Sequence, residues 1–197
     1  YPDKVRDIYS KMKVDENNSY FEIMNKINKV RIEDELNKLY KPVDKNLWQM
    51  PGHLVNACYD PSRNDITFPA AILQKPFYSL DQSVSENLGG IGAVIAHEIS
   101  HAFDNNGAHF DENGNMNNWW TDTDFAKFNE MTGKMIRQWD GIPYLDDKVN
   151  GELVVSENIA DNGGMAVTLQ IMHETKDADF KAYFINWARI WCQKAKK

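Results

Sequence analysis

Residues 87–103 have the sequence NLGGIGAVIAHEISHAF, in which apolar side chains recur with a period near 3.6 residues. This period predicts an α-helix with one buried face. His97 and His101 lie four residues apart within it, so a helix places both imidazoles on the same face. Two imidazoles aimed at one point can serve as two ligands of a metal site.

A zinc site needs a further protein ligand, and a second predicted helix offers one. Zinc binds neutral imidazole nitrogen and carboxylate oxygen, and a catalytic site keeps one position open for water. We assign Glu157, in the run Ser-Glu-Asn-Ile-Ala-Asp at residues 156–161, as the third ligand. Asp161 follows it by about one helical turn, so its carboxylate can accept the outer N–H of a ligand histidine and orient that ring.

Glu98 lies between the two histidines and points to an adjacent part of the same helix. We interpret it as the general base, which takes a proton from a zinc-activated water and passes that proton to the leaving amine of a peptide. HExxH alone occurs by chance in proteins that bind no metal. The Glu157 and Asp161 pair is the observation that favours a metal site here.

The rest of the chain predicts a mainly helical α+β fold. A β-hairpin is expected from two short apolar runs around a turn at residues 60–64. The Asn-, Asp- and Gly-rich stretch 104–118 is expected to be a loop but not a calcium site, because glycine falls at the wrong offset and no glutamate closes the pattern. Further helices are expected at 19–40, 122–139, 153–174 with an interruption at Gly163-Gly164, and 179–194.

Composition excludes several classes of protein. The chain has 197 residues, 42% of them hydrophobic, which is enough to bury a core. Its net charge is −7 and it has no block of Lys and Arg, so nucleic acid is not an expected partner. It also has no apolar run of about 18 residues that would make a membrane segment. Cys58 and Cys192 can form one bridge or remain free, and the size of the chain favours free thiols.

Several motifs, in order, resemble the neprilysin-like M13 metallopeptidases, a family of gluzincins that includes bacterial oligoendopeptidases of the PepO kind. VNACY at 55–59 resembles the substrate-binding strand of the family. Residues 91–101 resemble its HExxH helix and 156–164 its ENIADNGG helix, and 68–74 and 118–121 also match family segments. The resemblance implies a thermolysin-like zincin (gluzincin) catalytic domain, mainly α, with a small β-sheet edge.

The resemblance also implies roles for individual residues. One zinc ion per chain would be bound by His97, His101 and Glu157, with Glu98 as the base and Asp161 as the orienting carboxylate. Asn56 and Ala57 would hold an oligopeptide substrate as an extra strand. A hydrophobic pocket for the residue after the scissile bond would be formed by Ile72, Phe77, Val94, Ile190 and Trp191. From the residues alone, these apolar side chains are typical of an ordinary core.

Two departures from the family pattern limit the expected activity. Cys58 stands where family members usually have an aromatic residue. No DVHxPxxxR motif, whose histidine stabilises the oxyanion, follows Trp191-Cys192 within these residues. Loss of an oxyanion donor costs on the order of 10² to 10³ in rate. We therefore expect the chain by itself to bind zinc and to be a weak or inactive peptidase.

The expected organisation is a partial catalytic domain. Residues 1–50 are expected to supply an amino-terminal packing helix and residues 51–197 the zincin core, without the amino-terminal lobe and carboxy-terminal segment of the family. Apolar surface that those parts would cover predicts association between copies. The low cysteine content favours a bacterial cytoplasm over the setting of membrane-anchored animal relatives. A non-catalytic zinc-binding module and a metal-free helical domain are the alternatives.

Overall fold

The computed structural model describes residues 8–10, 12–48 and 50–192. The chain divides into two compact units, Tyr1–Gln49 and Met50–Lys197. Helices dominate and the strands are short, so the predicted α+β, mainly α class is confirmed. The assignment of both units to one partial catalytic domain stays a prediction. In the described part of the chain, no helix combines the length and the apolar character that a bilayer crossing requires.

The amino-terminal unit contains one helix, α1, at Tyr20–Leu36. A capping box starts it: the Ser19 hydroxyl accepts the Glu22 backbone N–H, and the Glu22 carboxylate accepts the Ser19 backbone N–H. The helix ends earlier than the predicted Tyr40, with Asn37 as its C-cap. No residue of α1 is buried, and Phe21 and Ile32 are exposed. The predicted packing face is therefore only half covered.

The second unit begins with the predicted β-hairpin. Strand β1 (Cys58–Asp60) pairs antiparallel with β2 (Asp65–Thr67), and Tyr59 lies opposite Ile66. The first strand is shorter than predicted, because residues 54–57 precede the ladder without joining it. This leaves a short segment with no strand partner directly before β1.

The predicted continuous helix at 87–103 is four consecutive pieces. These are α2 (Val84–Asn87), a π-helical segment (Leu88–Gly92), α3 (Ala93–Ser100) and a 3-10 turn (His101–Phe103). The break occurs at Gly90, whose φ and ψ are −99° and −110°. The Ile91 N–H donates to the Phe77 carbonyl at 2.7 Å, and this bond to a neighbouring loop displaces the regular helical one.

Three long helices complete the second unit. Helix α4 (Asp122–Trp139) has the predicted bounds, and α6 (Phe180–Ile190) lies within the predicted range. A hairpin that the sequence did not predict, β3 (Pro143–Tyr144) with β4 (Asp147–Lys148), leads into α5 (Gly151–Glu174). The predicted interruption of α5 at Gly163-Gly164 is wrong, because the helix runs through both residues.

The glycine pair serves helix packing instead. A side chain at Gly163 would collide with Ser100, and a Cβ at Gly164 would lie 3.0 Å from the His97 backbone nitrogen. Glycine therefore allows α5 to cross α3 at close range. The apolar core lies beside this crossing and contains Ala57, Ile72, Ile91, Val94 and Ile190, with Phe68 and Phe77 packed against it.

Both cysteines are free, as the size of the chain favoured. Large apolar side chains are exposed on the second unit, among them Leu80 at 88% and Leu153 at 81%. Self-association of the chain stays a prediction, because exposure alone does not identify a partner.

Candidate functional site

The two histidines and Glu157 converge where α3 and α5 cross. The two Nε2 atoms of His97 and His101 are 2.9 Å apart. Glu157 Oε2 lies 3.4 Å from Nε2 of His97 and 3.8 Å from Nε2 of His101. One donor atom from each of the three residues falls within 4.8 Å of the others. The structure thus brings together the three residues that the sequence predicted as ligands.

His97 is oriented by the predicted carboxylate. Its Nδ1–H donates to Asp161 Oδ1 at 2.8 Å, across the crossing from α3 to α5. With the proton on Nδ1, the lone pair of Nε2 is free and points toward His101 and Glu157. The His97 side chain is only 12% exposed, so this tautomer is held in a confined position.

His101 is oriented by a carboxylate that the sequence reasoning missed. Its Nδ1–H donates to Asp104 Oδ2 at 2.7 Å. Asp104 is 2% exposed and lies three residues after His101, where the 3-10 turn ends. Burial opposes its ionisation, but hydrogen bonds from His101, Ser156, Gly107 and Asn106 outweigh burial and lower the pKa of Asp104. The signal available in the sequence was the i, i+3 spacing to a metal ligand at the start of the loop.

The surroundings of His101 act on its protonation in opposite directions. Burial favours the neutral ring, whereas the hydrogen bond to Asp104 and the negative charges of Glu157, Asp104 and Glu98 favour the charged ring, and the net result is a raised pKa for His101. Three carboxylates facing two imidazoles make the centre electronegative. Such a site attracts a cation.

Glu98 is buried beside the two histidines, with 6% of its surface exposed. Burial raises the pKa of its carboxyl group, against the lowering by His97, His101 and a hydrogen bond from the Tyr59 backbone N–H. That bond links Glu98 to strand β1 and fixes it at the edge of a cleft. Glu98 is therefore a proton acceptor held next to the centre, without being one of the three converging donors.

The cleft has a volume of about 520 Å³ and runs from the histidines along the unpaired segment before β1. Asn56 and Ala57 line it, as do four of the five residues predicted for the hydrophobic pocket: Ile72, Phe77, Val94 and Trp191. Ile190 lies in the apolar core and is not among the lining residues. The roles of these residues in substrate binding stay predictions.

The donor set fits a zinc ion. Two imidazole nitrogens and one carboxylate oxygen are the ligands of a catalytic zinc site, which keeps a fourth position open. Both Nδ1 atoms donate to carboxylates, so both Nε2 atoms present lone pairs to each other at 2.9 Å. Two lone pairs at that distance repel unless a cation lies between them. The pairing of each histidine with a carboxylate is also usual for ligand histidines.

Comparison with known proteins gives the family. The model of Peptidase family M13 matches residues 56–197. The chain is 53% identical over 194 residues to a neutral endopeptidase of Lactobacillus helveticus, which covers 98% of this chain and 30% of the relative. The chain therefore spans less than a third of the length of that relative.

Two solved structures are similar over 97% of the chain. The crystal structure of PepO from Lactobacillus rhamnosis HN001 has 49% sequence identity and a TM-score of 0.83, with 30% of its chain covered. The zinc metalloprotease Zmp1 of Mycobacterium tuberculosis, in complex with an inhibitor, has 38% identity and a TM-score of 0.85, with 31% covered. These matches confirm the predicted zincin fold. On the match over residues 56–197 and these similarities, the chain belongs to peptidase family M13.

Proposed function

We propose that this chain supplies the zinc-binding centre and the general base of an endopeptidase that hydrolyses peptide bonds in oligopeptides. The observation that carries the proposal is the convergence of His97, His101 and Glu157 next to the buried Glu98, in a cleft. A similar protein is named a neutral endopeptidase, which supports the reaction class. We propose one zinc ion per chain, because the described residues contain one cluster of this kind.

When bound, zinc lowers the pKa of a water molecule and polarises the substrate carbonyl. The residues of the chain supply the rest. Glu98 takes the proton from that water and passes it to the leaving nitrogen, because its raised pKa makes it a better acceptor than an ordinary carboxylate. Asp161 and Asp104 keep the protons of His97 and His101 on Nδ1, so that the Nε2 lone pairs face the centre.

The cleft also supports a mode of substrate binding. Residues 54–57 are extended beyond β1 and have no partner strand, so a peptide can add alongside Asn56 and Ala57. Beyond the ligands, the wall is formed by Ile72, Phe77, Val94 and Trp191. We propose that this wall accepts a hydrophobic side chain on the carboxyl side of the scissile bond, since apolar surface there is removed from water.

The test is the substitution Glu98→Gln. Zinc content is measured on the 197-residue chain, and peptide hydrolysis on a protein with the full length of its relatives. Loss of hydrolysis with one zinc per chain retained is the expected result, because the amide keeps its size but accepts no proton. Glu174→Gln, at the far end of α5, is the matched control and is expected to change neither quantity. Retained hydrolysis in Glu98→Gln would remove Glu98 as the base, and absence of hydrolysis in the unaltered protein would favour the non-catalytic zinc module.

The chain alone is expected to be a weak peptidase. Apart from the two ligands, its histidines are His53, His109 and His173, and none of these lines the cleft. A missing oxyanion donor costs on the order of 10² to 10³ in rate without disturbing metal binding. Turnover by the 197-residue chain at the rate of a full-length family member would contradict this expectation.

A further inference from the structure

We infer that Ser156 is a positioning residue of the metal centre, which holds Asp104 against His101 and joins the two elements that carry the ligands. The inference rests on the proposed zinc site. Ser156 was predicted only as the residue before Glu157, without a role of its own. Its hydroxyl donates to Asp104 Oδ2, the same oxygen that accepts the His101 Nδ1–H.

Asp104 has its hydrogen-bonding capacity filled. Its Oδ1 accepts the backbone N–H groups of Asn106 and Gly107, both at 2.7 Å, and its Oδ2 accepts from His101 and Ser156. A carboxylate offers about four acceptor positions, and Asp104 is 2% exposed. Ser156 is the one partner of Asp104 that comes from a different part of the fold, because the other three lie within three residues of it in sequence.

The position of Ser156 gives this bond its consequence. Ser156 directly precedes Glu157 on α5, and Asp104 directly follows the 3-10 turn that contains His101. The bond therefore ties the backbone beside one ligand to the side chain that orients another. With the His97 to Asp161 bond, α5 contacts the orientation of both histidines, once directly and once through Asp104.

Removal of the hydroxyl has two effects on the centre. Asp104 Oδ2 keeps only His101 as a partner in a buried place, so its carboxylate gains freedom to rotate and the ring of His101 is less constrained. Glu157 loses the tether of its neighbour to the other ligand element. Loss of an outer partner of a metal ligand typically costs about 10- to 100-fold in metal affinity. Ser156→Ala is therefore expected to weaken zinc binding about tenfold or more.

The experiment measures zinc affinity by competition with a chromophoric chelator and the visible absorption spectrum of the Co²⁺ form, both on the 197-residue chain. Ser156→Ala is expected to lose affinity and to alter the Co²⁺ bands, whereas Ser156→Thr, which keeps a hydroxyl, retains both. Ser100→Ala is the matched control: Ser100 directly precedes His101, but its hydroxyl donates to Ala96 O within its own helix at 2.8 Å. It is expected to bind zinc as the unaltered chain does.

A double-mutant cycle with Asp104→Asn separates positioning from a general structural role. If Ser156 acts through Asp104, the effect of Ser156→Ala on zinc affinity shrinks when Asp104 is already changed, whereas additive effects would overturn the inference. Far-UV circular dichroism of the metal-free variants reports folding. If Ser156→Ala does not fold, Ser156→Cys, with a weak donor of similar size, replaces it, with the same loss expected.

The outcomes distinguish this inference from the proposed function. Zinc bound equally by the unaltered chain and by Ser156→Ala, with the same Co²⁺ spectrum, refutes the positioning role alone. Failure of the unaltered chain to bind zinc refutes the proposed function as well.

Discussion

Substitution of Gly164 by Ala tests whether the close crossing of α3 and α5 sets the metal geometry. An added Cβ would lie 3.0 Å from the Ala93 carbonyl oxygen, 3.0 Å from the His97 nitrogen and 3.3 Å from the His97 Cα. Ordinary contacts begin at 3.4 Å, so the helices must separate by about 0.4 Å, the difference between 3.4 and 3.0 Å. The contacts are backbone atoms and cannot rotate away.

The energetic result follows from two opposing effects. Alanine improves helix propensity by about 1 kcal/mol over glycine. Overpacking costs about 1–3 kcal/mol, so the net loss of stability is roughly 0–2 kcal/mol. The effect on zinc is larger, because a metal site tolerates changes in ligand distance of only about 0.2 Å. Since His97 is itself the contact, we expect zinc affinity to fall about tenfold or more.

The assay is urea unfolding of the metal-free chain together with zinc affinity by chelator competition. Gly133→Ala is the matched control, because Gly133 also lies inside a helix, α4, and its added Cβ would meet only the end of the Arg137 side chain, at 3.4 Å. That variant is expected to gain roughly 0.5–1 kcal/mol and keep its zinc affinity. The reasoning is refuted if Gly164→Ala behaves like Gly133→Ala, with a gain in stability and no loss of zinc.

Two further predictions concern metal removal and the cleft thiol. A chelator is expected to lower the unfolding temperature, because zinc at 100 times its dissociation constant stabilises the folded chain by about 2.7 kcal/mol, and calorimetry without a shift would contradict the site. Iodoacetamide is expected to label the exposed Cys192 before Cys58 at pH 7.5, because burial and the charges of Glu98, Asp60 and Asp65 raise the pKa of Cys58 and reduce its thiolate. Peptide mass spectrometry should show labelling of Cys58 accelerating at higher pH, and equal rates at pH 7.5 would be evidence against a shielded thiol.

The residues that converge on the metal were predictable, because a metal site leaves a local signal. The i, i+4 spacing of His97 and His101 places two imidazoles together on any helix, and the same spacing relates Glu157 to Asp161. Helix α4 was predictable to its ends, since Thr121 caps its first turn and its apolar period is regular. These features depend on residues within a few positions of each other.

Features that depend on distant contacts were missed or misread. Gly163-Gly164 has the composition of a helix breaker, but α5 continues because the pair packs against α3. The π-helical segment depends on a hydrogen bond from Ile91 to Phe77, which no periodicity reveals. The bond between Ser156 and Asp104 joins residues 52 positions apart. Nothing in either local sequence identifies the other as its partner.

The metal centre is therefore a property of the α3–α5 pair as much as of its ligands. Along α5, Glu157, Asp161 and Gly164 follow one another at spacings of four and three, so they share one face of the helix. Ala160 is fully buried at this face and Gly164 touches the backbone of His97. The residues that bind or orient the metal thus lie among the small residues that set the distance between the helices. A change that moves one helix relative to the other must move Glu157 and Asp161 away from both histidines together.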